Sequence, residues 1–195
     1  LISFSKTNFQ IVGGRELGFE YELLKDYERY LDRKRPKGAL PLELVFIPTP
    51  FHRLLPDLNR GLGDIAAAGL TVTPARKKTV HFTKPSRPSV SEVVVLGKTV
   101  AGVDSLEALS GRPIMVRRGS SYVGHLENLN RRLQRAGLKP ATIQQADETL
   151  ATEDILEMVN AGAVPITVAD AHIAAIWAKV LPEIVVREDL TGHTL

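Results

Sequence analysis

Arg76 closes the stretch Gly61–Arg76, GLGDIAAAGLTVTPAR, and the residues just before it suit a receptor for a small carboxylate. A planar guanidinium presents N–H donors in a fixed fork that matches two carboxylate oxygens. Thr71 and Thr73 add hydroxyls, and Gly69 lets backbone approach a bound molecule closely. Pro74 suits a first helical position, which places Arg76 within the first turn of a helix. Binding, rather than covalent chemistry, is the first expectation.

Other chemistries find little support. The 195 residues contain no cysteine, which removes disulfides, zinc thiolates and thiol nucleophiles together. The five histidines, His52, His81, His125, His172 and His193, form no pair at metal-ligand spacing, so no metal or cofactor is expected. Gly13-Gly14 is a turn and not a phosphate loop, because no Gly-Lys-Ser/Thr follows. Glu153/Asp154 fits the acidic first turn of a helix, and no Ser-His-Asp grouping can be argued. Aromatics make up only 6%, too few for a carbohydrate cleft lined by stacking rings. The net charge of +3 is scattered, and its densest run, Arg29–Lys37, reads as a solvated helix end and not a nucleic-acid surface. No stretch reaches the roughly 20 apolar residues of a membrane span. Leu1-Ile2-Ser3-Phe4 has neither a methionine nor a basic lead, so the chain reads as a mature or excised piece.

The elements that must position Arg76 alternate. Strands are expected at Leu1–Ser5, Leu42–Ile47 and Asp64–Ala68, with helices at Glu20–Leu31 and Phe51–Arg60 between them. Such β-α-β-α-β order argues for parallel sheet covered by helices. The valine-rich Val90–Lys98 reads as a long crossing strand. The alternation then restarts, with strands at Pro113–Val116, Ala141–Gln144, Val164–Val168 and Ile184–Arg187. Helices fall at Ser105–Leu109, Tyr122–Ala136, Asp154–Ala161 (Thr152 as cap) and Asp170–Leu181. The expected organisation is one lobe over 1–94, a second over 95–184, and a return to the first over 185–195. Ligands of open α/β sheets bind beyond the carboxyl ends of strands. The polar segments that fall there are Phe51, Gly69–Arg76, Arg117–Ser121 and Asp170.

These segments carry a family likeness. Gly18–Leu23, Leu55-Pro56-x-Leu58, Gly63-Asp64-Ile65 and Thr71-x-Thr73-x-x-Arg76 resemble the periplasmic solute-binding proteins of the polar amino acid type, family 3. Arg117–Tyr122 is similar to their second-lobe ligand loop. Within that superfamily, AAAGLTVTPARKKTVHFT, VRRGSSY, Thr152–Val159 and ITVADAHIA resemble the amino-terminal regulatory domain of the membrane-bound lytic transglycosylase F family. The likeness covers nearly the whole chain. It implies a two-lobed, type II periplasmic-binding-protein α/β fold and a periplasmic location.

The resemblance also implies roles. Arg76 would hold the ligand carboxylate beside Thr71, and Ser120 and Ser121 would donate from the second lobe. Asp170 would take the ligand ammonium, and Phe51 would lie against the ligand. Gly69 stands where amino acid binders often carry serine, which weakens specificity for a free α-amino acid. The partner implied is an amino acid or muropeptide-like ligand, with a tethered transglycosylase domain beyond Leu195 or, alternatively, a transporter permease. A less favoured alternative is an enzyme resembling cyclohexadienyl dehydratase, with Glu153 or Asp170 as general acid. The family's first lobe usually ends in a further strand and helix where this chain reaches Thr194-Leu195, which implies a truncated piece or a short member.

Overall fold

The computed structural model describes residues 1–190. Contacts divide the chain into two compact units, one from Leu1 to Leu70 and one beginning at Thr71.

In the first unit Ile2 lies between two extended segments. Its N–H donates to Ile47 O at 3.0 Å, and its carbonyl accepts from the Thr49 N–H at 2.8 Å. Leu1 O accepts from the Ala67 N–H at 3.0 Å. The three expected strands are thus brought side by side, but as isolated parallel bridges, Ile2 to Pro48 and Ile2 to Ala67, and not as ladders. Pro41 and Pro48 have no N–H to donate. Leu40 and Val45 stay 82% and 79% exposed, so burial does not reward a longer pairing. A hairpin follows, β1 (Gln10–Val12) against β2 (Arg15–Leu17). Gly13 and Gly14 turn it at φ of 57° and 76°, the doubly positive conformation that a two-residue hairpin loop favours.

Helix α1 (Phe19–Asp32) starts against the carbonyls of Thr7 and Asn8, which accept from the N–H groups of Phe19 and Glu20. Gly18 makes this approach at φ 133°, where an added Cβ would fall 2.3 Å from Asn8 O. Gly18→Ala should therefore cost on the order of 1–3 kcal/mol or more, read as a lowered thermal midpoint by circular dichroism. A 3-10 turn at Phe51–Arg53 leads into α2 (Leu54–Asn59). Phe51, Leu54 and Ala68 form the unit's small core with Leu1, Ala66 and Leu70.

The second unit begins with α3 (Pro74–Lys77), then β3 (Glu92–Gly97), β4 (Pro113–Val116), α4 (Ser121–Arg135) and β5 (Thr142–Gln145). It continues through α5 (Thr152–Asn160), β6 (Ile166–Asp170), α6 (Ala171–Trp177) and β7 (Ile184–Arg187). Its sheet has the order β5-β4-β6-β3-β7. β4 runs parallel to β5 and β6, while β3 runs antiparallel to β6 and β7. The sheet is thus mixed. All six residues of β3 are buried, because both its faces are covered. Val94 and Leu96 share a core with Leu126, Leu129 and Leu133 of α4. Val93 and Val95 pack with Leu156 and Val159 of α5 and Ala174 of α6. Position 94/95 lies inside β3. The expected return begins in β7, at the edge of this sheet, and Thr191–Leu195 lie outside the described residues. The cap of α5 is Ala151 and not Thr152, with the Asp154 carboxylate accepting from the Ala151 N–H at 2.8 Å.

Candidate ligand-binding site

Five of the seven residues singled out by sequence, Thr71, Arg76, Ser120, Ser121 and Asp170, belong to the second unit. Thr73 caps α3, its hydroxyl accepting from the Arg76 N–H at 3.2 Å, and this fixes where the arginine leaves the helix. The guanidinium is then held by two carbonyls. Nη1 donates to Thr71 O at 2.8 Å and Nη2 to Gly119 O at 3.1 Å. Two such bonds leave further donors of the fork for an anion. Burial lowers the arginine's pKa, while Tyr122, Asp170 and Glu92 act in the opposite direction.

Gly119 and Ser120 lead into α4. Ser120 occupies the N-cap position, yet its hydroxyl makes no capping bond, and its buried Oγ has no partner among the described residues. A helix start with an uncommitted hydroxyl and free N–H groups favours negative charge. Tyr122, in the first turn, is buried, and its hydroxyl accepts from the Asp170 N–H at 3.1 Å.

Asp170 ends β6 and stands at the N-cap of α6 without capping it. It is 6% exposed, and its Oδ1 has no partner among the described residues. Burial pushes its carboxyl up to about 6; Tyr122's hydrogen bond opposes this, Glu92 adds to it, and Arg76 and His125 oppose it. A raised carboxyl pKa stabilises the folded state fully below the unfolded value near 3.8, and that contribution is lost as pH rises through about 6. At pH 8, Asp170→Asn should therefore stabilise the unliganded protein by on the order of 1–3 kcal/mol, a gain that vanishes at pH 4. Denaturant melts at the two pH values check it.

The model of the bacterial extracellular solute-binding proteins, family 3, matches residues 3–154. This chain belongs to that family. Its relatives include the membrane-bound lytic murein transglycosylase F of Desulfosudis oleivorans, 31% identical over 168 residues, which are 86% of this chain and 34% of that protein. The Pseudomonas putida protein of the same name is 31% identical over 189 residues, 96% of this chain and 36% of its own length. The chain spans about a third of the length of these curated relatives. Among solved structures, an ancestral arginine-binding protein bound to arginine matches at TM-score 0.74 and 23% identity, over 95% of this chain and 76% of that one. Holo ArgBP from T. maritima matches at 0.68 and 21%, over 95% and 74%. An ancestral amino acid-binding protein, a precursor of cyclohexadienyl dehydratase, matches at 0.69 and 23%, over 95% and 75%. The fold is the type II α/β fold of periplasmic amino-acid-binding proteins. No helix among the described residues is long and apolar enough to cross a membrane.

The remaining two expected contacts of this family 3 domain lie in the first unit. Phe51 is in the small core with Leu54 and Ala68. Gly69 has φ +59°, and its N–H donates to Glu20 Oε1 at 2.7 Å. That carboxyl is raised by burial, against the bond from Gly69. The Gly69 N–H thus already has an acceptor. Three residues beside the expected ones were not singled out as site residues. Glu92 is 2% exposed, with Oε1 accepting from the Ser121 hydroxyl at 3.2 Å and Oε2 2.8 Å from His125 Nδ1. Tyr122 bridges α4 to Asp170. A glutamate heading a run of valines is the signal for Glu92, and Ser121 and His125, four apart on one helical face, are the signal for its partners.

Proposed function

We propose that this chain is a capture module for a small zwitterion, either a free amino acid or the amino-acid-like end of a cell-wall peptide. Arg76 holds the carboxylate with its remaining N–H groups, and the Ser120 hydroxyl and the first N–H groups of α4, beginning with that of Ser121, share it. Asp170 takes the ammonium, and Thr71 fixes the arginine. The observation that carries this reading is the pair of buried, uncommitted oxygens, Ser120 Oγ and Asp170 Oδ1, in the unit that holds the Arg76 guanidinium. One suits an anion and the other a cation.

The relatives' names support a tethered murein-cleaving domain, to which the module would report a periplasmic ligand. A solved structure named as an amino acid ABC transporter substrate-binding protein bound to L-arginine, TM-score 0.70 and 18% identical, supports the second reading, delivery to a permease. Native sequence following Leu195 distinguishes the two. The dehydratase-like alternative has the raised Asp170 carboxyl in its favour, and turnover of prephenate or arogenate would establish it.

A thermal-shift screen with L-arginine, L-glutamine and a muropeptide tests capture. A ligand at 100 times its Kd should stabilise the protein by about 2.7 kcal/mol. A folded protein whose melting temperature none of them moves would overturn the reading.

A further inference from the structure

Glu92 is buried at 2% exposure and has no part in the ligand contacts proposed above. In the antiparallel pairing of β3 with β6 its Cα partner is Asp170. Directly opposed residues project to the same face, so two buried carboxylates stand side by side. Both cannot be ionised cheaply unless cations compensate them. Glu92 holds the better position for its charge, with the Ser121 hydroxyl donating to one oxygen and His125 Nδ1 2.8 Å from the other. Asp170 has an oxygen without any partner among the described residues.

We infer that Glu92 makes ligand capture at Asp170 proton-coupled in mildly acidic conditions: beside Glu92, Asp170 there keeps a proton while the site is empty, and the arriving ammonium displaces that proton to solvent. This rests on the reading in which Asp170 takes the ammonium. No bond changes beyond this exchange of one O–H for a charge-assisted N–H···O contact. The groups acting on Asp170 are Glu92 from β3, Tyr122 and His125 from α4, and Arg76 from α3. In the neighbouring helices, Glu153 and Asp154 of α5 act on Arg117, and His172 of α6 responds to burial and Arg87. The Asp170 carboxyl, pushed up to about 6 by burial with Glu92 contributing, agrees with this assignment.

The consequence is a signed pH dependence. Above about pH 6 the affinity for an ammonium ligand is level, and below it falls by up to tenfold per pH unit, because a proton must first leave. Glu92→Gln removes the neighbouring charge, so Asp170 should ionise at lower pH and the fall should move down with it. His125→Gln removes a group that works against the rise of the Asp170 carboxyl and should move it up.

The test uses the whole chain. Carboxyl-carbon NMR follows the titration of Asp170 in the wild type and both variants. Calorimetry at pH 5.5 in two buffers of different ionisation heat then reads proton release on adding L-arginine or L-glutamine. An Asp170 midpoint near 6 that moves in opposite directions in the two variants, with a proton released on binding, is expected. If Glu92→Gln fails to fold, the upward move in His125→Gln decides. An Asp170 midpoint in the ordinary carboxylate range, or binding without proton release, would overturn the inference. Should neither amino acid bind at any pH, the ligand reading fails, and the NMR titrations still decide whether Glu92 governs the Asp170 proton.

Discussion

Replacing Arg76 with alanine should weaken binding of a carboxylate ligand by roughly 30-fold or more while leaving the fold intact. Truncating one partner of a desolvated, hydrogen-bonded charge pair costs 2–5 kcal/mol, roughly 30- to several thousand-fold in affinity. The fold should survive because the guanidinium's own partners, Thr71 O and Gly119 O, are loop carbonyls that water can satisfy. Arg76→Lys separates charge from geometry. An ammonium retains attraction but lacks the fork that spans two carbonyls and a carboxylate together, so its affinity should fall between the other two. Calorimetric titration with whichever of L-arginine, L-glutamine or a muropeptide stabilises the wild type measures all three. Unchanged affinity in Arg76→Ala would remove this residue from the site and leave the helix start of α4 as the anion locus.

What the sequence made legible divides along the two units. In the second, apolar runs such as Val93–Leu96 and the periodic leucines of α4 specify buried strands and one covered helix face, and the structure has both. In the first, the same kind of reasoning asked for three strands, and Ile2 makes only single bridges to its neighbours. An apolar run shows that a segment can pair; how far the ladder extends depends on prolines and on what covers the other face. At the site, residue types and the family resemblance pointed to Arg76, Ser120 and Asp170, the groups proposed here for a ligand. They did not reveal Glu92, because its importance comes from register. Only the pairing of β3 with β6 sets it opposite Asp170.

Glu153 shows the same limit in energetic form and leads to the second large effect. By sequence, Glu153 and Asp154 read alike as first-turn acids, each stabilising α5 by about 0.3–1 kcal/mol. Asp154 does behave so, accepting from the Ala151 N–H at 2.8 Å. Glu153 is instead 1% exposed and is the chief opposite charge acting on Arg117, which is 7% exposed at the end of β4. Burial alone would lower the arginine's pKa, and Glu153 works against that. Glu153→Ala would take the chief opposite charge from a buried guanidinium, leaving it the smaller effects of Tyr122 and Asp154, a loss of about 3 kcal/mol, whereas Asp154→Ala should cost about 1 kcal/mol. Because Arg117 immediately precedes the Arg118–Ser121 segment, the single variant should also bind ligand more weakly at temperatures where it remains folded. Removing both charges, as Arg117→Met with Glu153→Met, should recover most of the stability, since apolar replacements of similar volume avoid the desolvation that two opposed buried charges only repay. Urea denaturation of the four proteins reads these differences, and a Glu153→Ala no weaker than Asp154→Ala would mean that Arg117 does not depend on Glu153 for its charge.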